Sequence, residues 1–117
     1  MDIEEIRAQF RPAVDEILKS CCVSESFVDK EQFRIYIATI WGNVALDPSQ
    51  SGVGEEDLPL LHDFLNEEIQ PILGSDESII TCYEYLSSKD GEEAMLRLKL
   101  TKQHREFIAY FSRIILA

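Results

Sequence analysis

Residues 33–46 are apolar on nearly every side: Phe33, Ile35, Tyr36, Ile37, Ala38, Ile40, Trp41 and Val44 crowd a stretch whose single charge is Arg34. A segment without a polar face must be enclosed by the rest of the chain, which marks it as the central, buried element of the fold. Its β-branched residues permit a strand, but its length favours a helix.

The flanking segments carry the one-sided apolar patterns needed to enclose it. Asp2 with Glu5 reads as a helix start, and Ile3, Ile6, Phe10, Ala13, Ile17 and Cys21 then recur at helical spacing. The stripe keeps its phase across Pro12, which favours one kinked helix over two, with a break at Arg11 as the alternative. Ser26 with Asp29 restarts a helix that runs to residue 46. Residues 47–54 form a loop dense in turn formers. From about residue 57 to 70, Leu58, Leu61, Leu65, Ile69 and Ile72 share one face and Glu56, Asp63 and Glu67 the other; Pro59 fits the first turn, and Pro71 then Gly74 close the helix. Ser75 is the expected cap of the next helix, with Ile79, Cys82, Tyr83 and Leu86 as its stripe. Asp90 to Glu93 has the spacing of a capping box that begins a short helix to about residue 98. Thr101 caps a last helix that buries Phe107, Ile108, Phe111, Ile114 and Ile115. A β-hairpin of residues 79–86 and 95–101 about Asp90-Gly91 competes with this reading, and the good helix formers of residues 92–96 favour helix. The expectation is an all-α, irregular (orthogonal) bundle of five to six helices forming a single domain over residues 1–117.

Charge is distributed unevenly along the chain. Residues 35–88 contain no Lys or Arg and ten carboxylates, whereas residues 1–34 carry a net −3 and residues 89–117 a net +2, giving −11 in total. Such a field repels nucleic acid and anionic lipid and attracts a basic protein surface. No apolar run approaches a membrane span, and Met1 to Glu5 has neither the basic nor the apolar region of a leader, so a soluble, cytoplasmic protein is expected. Cys21 and Cys22 are adjacent and Cys82 stands alone; without paired spacing, all three read as reduced, small buried hydrophobes.

The loop contains one ligand-like pattern. Asp47, Ser49 and Ser51 fall at positions one, three and five of a twelve-residue frame over residues 47–58, with Gly52 at six, the Val53 carbonyl at seven and Glu55 at nine. This resembles the EF-hand calcium loop, which implies a cation held by Asp47, Ser49, Ser51 and Glu55. It departs where the bidentate glutamate belongs, since position twelve is Leu58. His62-Asp63 resembles the HD dipeptide of metal-dependent phosphohydrolases, but that family needs an upstream histidine and the only other one here is His104. Gly52-Val53-Gly54 lacks the third glycine and the strand of a dinucleotide site. No cofactor is expected.

Together these features point to a non-enzymatic, acidic protein-binding module of the inhibitor, immunity or adaptor type. It would dock a basic partner through the acidic face of residues 55–84, with Glu56, Asp63, Glu67 and Glu68 as the charged rim and Leu60 as an apolar anchor among them. The competing possibility is a solvated face neutralised within the fold by Arg97, Lys99, Lys102 and Arg105. Two other classes remain: the calcium module above, and a small enzyme with a pocket lined by His62 or His104 together with Cys82.

Overall fold

The computed structural model describes residues 2–24, 27–46, 52–102, 105, 106 and 109. Their elements run in the order α1 (Ile3–Cys21), β1 (Cys22–Ser24), β2 (Phe27–Val28), α2 (Lys30–Leu46), a 3-10 turn (Glu55–Asp57), α3 (Leu58–Leu73), α4 (Ile79–Leu86) and α5 (Lys89–Lys99). The molecule is mostly helical and forms one domain.

Enclosure of α2 organises the fold. This helix packs most extensively against α4 and also meets α1, α3 and α5. Phe33, Ile35, Tyr36, Ile37, Ala38, Ile40 and Val44 have no exposed surface, so most of this apolar helix is enclosed, and Trp41 and Asn43 mark where cover thins. Burying a side chain as large as Phe33 contributes about 2–3 kcal/mol. Tyr36 keeps its polar end satisfied, because Gln32 Nε2 donates to its hydroxyl at 3.2 Å. Desolvation pushes the Tyr36 phenol pKa upward.

α1 forms as its pattern dictates. The Asp2 carboxylate accepts from the Glu5 N–H at 2.9 Å, and Ile6, Phe10, Ala13, Val14, Ile17 and Cys21 are buried. Pro12 lies inside this continuous helix on its exposed side. The carbonyl its missing N–H would have served belongs to Ala8, also exposed, so it stays accessible to solvent. The helix does not lead directly into α2. An irregular antiparallel ribbon intervenes, with Cys22 opposite Val28 and Ser24 opposite Phe27. The Asp29 N–H then donates to the Cys21 carbonyl at 2.8 Å, and the Asp29 carboxylate caps α2 by accepting from the Gln32 N–H at 3.1 Å. Asp29 itself thus caps the helix, and Ser26, with which the sequence reading began it, lies outside the described residues.

Several expected boundaries move. Pro71 sits within the last turn of α3 on its exposed side, and Gly74, at φ 110°, ends the helix. The cap of α4 is Ser78 and not Ser75: the Thr81 N–H donates to Ser78 Oγ at 3.2 Å, and the Ser78 N–H donates to Thr81 Oγ1 at 2.9 Å. Ser78→Ala is expected to lower stability by about 1 kcal/mol in urea unfolding, because it removes one arm of this reciprocal cap. α5 is capped by Ser88, whose Oγ accepts from the Gly91 N–H at 3.1 Å, two residues before the expected Asp90. Residues 79–86 and 89–99 are helical, so no hairpin forms about Asp90-Gly91. Beyond α5, the Thr101 carbonyl accepts from the Arg105 N–H at 3.4 Å. The expected core positions Phe107, Ile108, Phe111, Ile114 and Ile115, and His104, lie outside the described residues. Among the described residues, no helix is long and apolar enough to cross a membrane.

Candidate functional site

Among the described residues, Glu67, Glu68 and Glu77 of the acidic tract pair with arginines, whereas Glu55, Glu56 and Asp63 do not. On the flank of α3 that faces α1, one Arg7 guanidinium nitrogen donates to both carboxylate oxygens of Glu67, at 3.1 and 2.9 Å. These hydrogen bonds strengthen Arg7's hold on its proton. One turn along α1, Arg11 pairs with Glu68 and stacks on the Phe64 ring, 5.4 Å from its centroid. On the other side of the molecule Arg34 reaches Glu77 at 3.2 Å. These pairs are partly exposed and individually weak, but together they tie α1 and α2 to the acidic segment. Neutralisation within the fold thus comes from Arg7, Arg11 and Arg34. The C-terminal bases lie elsewhere: Arg97 pairs with Glu31 of α2 at 3.2 Å, and Lys102 with Glu106 at 3.7 Å.

Four other acids stand at or just before the start of α3, Glu55, Glu56, Asp57 and Asp63, while Asp76 and Glu84 lie beyond it. Glu55, Glu56 and Asp63 are exposed. Glu55 and Glu56 make no ion pair among the described residues, and Asp63, 70% exposed, meets only its neighbour His62, at 3.3 Å. The Glu56 carboxylate folds back over Gly54, so close that a Cβ there would lie 2.6 Å from Glu56 Oε1.

Beside these acids lies a shallow groove of about 470 Å³ lined by Trp41, Glu55, Leu58, Pro59, His62 and Asp63. Local structure explains each position. Trp41 stands where α2 emerges from cover, half-buried while its neighbours are enclosed. Pro59 occupies the first turn of α3, where its missing N–H has no intrahelical partner to lose. His62 meets the Trp41 ring edge-on, with centroids 5.9 Å apart and planes at 68°. Asn66 braces it, with Nδ2 3.4 Å from His62 Nδ1, while its own Oδ1 accepts from the Ile79 N–H at 2.7 Å. The groove thus has an aromatic and aliphatic floor, a rigid wall and an acidic rim. It suits an apolar side chain that arrives beside a cation.

The expected site residues are only partly brought together. Glu56 and Asp63 stand at the groove end of α3, whereas Glu67 and Glu68 are engaged with α1. Leu60 is half-buried and packs against the core, so it is no free anchor. Trp41 instead lines the groove, half-buried. Sequence reasoning placed it in the buried helix, and the signal it offered was its position near the end of the apolar run, where cover thins. Of the loop residues, Asp47, Ser49 and Ser51 lie outside the described residues; Gly52 adopts φ 77°, Glu55 is exposed, and Leu58 packs against the core. Among the described residues, no group of three His, Cys, Asp or Glu side chains is placed to hold a metal.

The thiols differ from expectation in one respect. Cys21 and Cys82 are buried, but Cys22 is exposed. Desolvation, aided by the Asp29 charge, pushes the Cys21 thiol up to about 12; desolvation, aided by Glu77, pushes Cys82 up to about 11. Cys82 therefore stays a protonated core residue at neutral pH, and it does not line the groove that holds His62.

A second, more polar cleft of about 410 Å³ lies between α2 and the α4–α5 corner, lined by Glu31, Arg34, Tyr85, Asp90, Glu93 and Arg97. The Tyr85 hydroxyl donates to Glu31 at 3.0 Å, and Arg34 lies over its ring. Its two arginines are already engaged with Glu77 and Glu31, so this cleft serves chiefly as a tie between α2 and α5. No protein-family model matches the chain, and no curated protein or solved structure is significantly similar to it.

Proposed function

We propose that this chain is a non-catalytic binding module that docks a basic protein surface at the groove beside the start of α3. Trp41, Leu58 and Pro59 receive an apolar anchor, and Glu55, Glu56 and Asp63 receive the cations around it. The observation that carries this reading is the division of the acidic tract: Glu67, Glu68 and Glu77 are neutralised by arginines, while among the described residues Glu55, Glu56 and Asp63 have no arginine or lysine partner. Carboxylates without cationic partners beside a half-buried tryptophan keep both charge attraction and apolar contact available to a partner. An inhibitor or immunity-type protein that masks a basic enzyme or toxin would use such a face.

The test is association with the partner that immobilised protein retains at low salt. Glu56→Lys combined with Asp63→Lys is expected to slow that association at least about tenfold, because rim charges act chiefly on the encounter rate. Glu67→Gln, which removes only an internal pair, is expected to leave the rate within about twofold. Equal slowing by both would place the recognition on α3 as a whole and contradict the groove.

A further inference from the structure

On the opposite side of the charge distribution, α5 exposes Leu96 at 64%, and its C-cap residue Leu100 is 85% exposed. Leu96 borders a shallow groove of about 300 Å³ whose apolar members are Leu86, Met95 and Leu96, with Glu92 and Lys99 as its charged members. Apart from Lys89 at its first position, the charges of α5 are ordered along it: Asp90, Glu92 and Glu93 come early, and Arg97 and Lys99 stand in its last turn.

We infer that two copies of this chain associate through α5, as an antiparallel pair about a two-fold axis passing between Met95 and Leu96. A two-fold interface must be complementary to itself, so that if residue i meets j, then j meets i. This helix satisfies that condition. Glu92 and Lys99 lie equally far on either side of Met95 and Leu96 in sequence. Antiparallel pairing therefore sets Glu92 against Lys99 of the second copy, and Lys99 against its Glu92. Leu96 of each copy meets Met95 of the other, filling the groove that each exposes. A parallel arrangement would set like charges side by side, whereas the antiparallel one also opposes the two helix dipoles favourably.

The choice of a second copy over another partner rests on charge. Residues 89–117 are the net-positive portion, +2, of a chain that carries −11. Copies approaching by other faces present mostly negative charge to one another, while at α5 each offers both signs in complementary order. The pairing leaves the Trp41 groove out of the interface, so it does not depend on the function proposed above.

Sedimentation equilibrium of the full chain over a wide concentration range tests this. The expected result is a reversible monomer–dimer equilibrium that Leu96→Glu abolishes; Leu96 is exposed, and an unchanged circular dichroism spectrum verifies that the variant folds. Glu92→Lys and Lys99→Glu are each expected to weaken self-association at least about tenfold, and an equimolar mixture of the two is expected to recover it as a heterodimer. A chain that stays monomeric at its highest attainable concentration would overturn the inference. So would a Leu96→Glu variant that dimerises like the wild type, or a charge-swapped mixture that forms no heterodimer.

Discussion

Gly91→Ala is expected to destabilise this protein by about 3 kcal/mol, although the same change in an exposed helix normally stabilises by about 1 kcal/mol. The reason is a close helix–helix corner. A Cβ at position 91 would lie 1.9 Å from the Tyr85 carbonyl oxygen, 2.8 Å from the Tyr85 carbonyl carbon and 3.0 Å from Leu86 Cα. All three are backbone atoms at the end of α4, and they cannot turn aside as a side-chain tip would. Relief requires α4 and α5 to separate, which breaks the Ser88 cap and loosens Ala94 and Cys82 from the core. For a chain of this size that loss lowers the melting temperature by roughly 10 °C. Gly42→Ala supplies the contrast, because its Cβ would meet only the Tyr83 ring, at 3.1 Å. A Gly91→Ala variant as stable as the wild type in thermal unfolding would refute the α4–α5 corner.

The second large effect is alkaline unfolding. Cys21 and Cys82 ordinarily titrate near 9.0, and in the folded protein burial raises them to about 12 and about 11. The native state then holds protons that the unfolded chain releases above pH 9, so stability is complete below that pH and falls as pH rises toward the folded values. By about pH 10.5 each thiol accounts for a loss of about 2 kcal/mol, or about 4 kcal/mol together, relative to about pH 8. Raised Tyr36 acts in the same direction. Such a loss is a large part of the 5–15 kcal/mol typical of a domain. Urea midpoints measured at the two pH values check it. Cys82→Ala is expected to be less stable than wild type at pH 8 but to lose less on going to pH 10.5. An equal alkaline loss in wild type and variant would mean that Cys82 is not desolvated as described.

Much of the fold was legible because burial follows periodicity. The all-round apolar character of residues 33–46 required a central helix, and the stripe from Ile6 to Cys21 kept its phase through Pro12. Local signals were less decisive where they were abundant. Ser75, Asp76 and Ser78 all suit a cap, and the choice fell to Ser78 because Thr81 could reciprocate. The ribbon that pairs Cys22 with Val28 and Ser24 with Phe27 has too few residues for alternation to register.

The candidate site was legible in charge but not in partners. Helical phase put Glu67 on the polar side of α3, yet it could not say that Arg7, 60 positions away, would lie opposite. Contacts between distant segments decide which carboxylates are neutralised. They also leave Trp41 half-exposed, although composition alone marked it for the interior.

Trp41 is the sole tryptophan of the chain, so its emission reports directly on the groove. The most direct test of the docking account is a fluorescence titration at low salt with an amphipathic peptide of alternating leucine and lysine faces. The account predicts a saturable change in Trp41 emission that weakens with added salt, weakens at least about tenfold in Glu56→Lys with Asp63→Lys, and persists in Glu67→Gln. Emission that does not respond to the peptide, or a response that the double variant leaves unchanged, would contradict it.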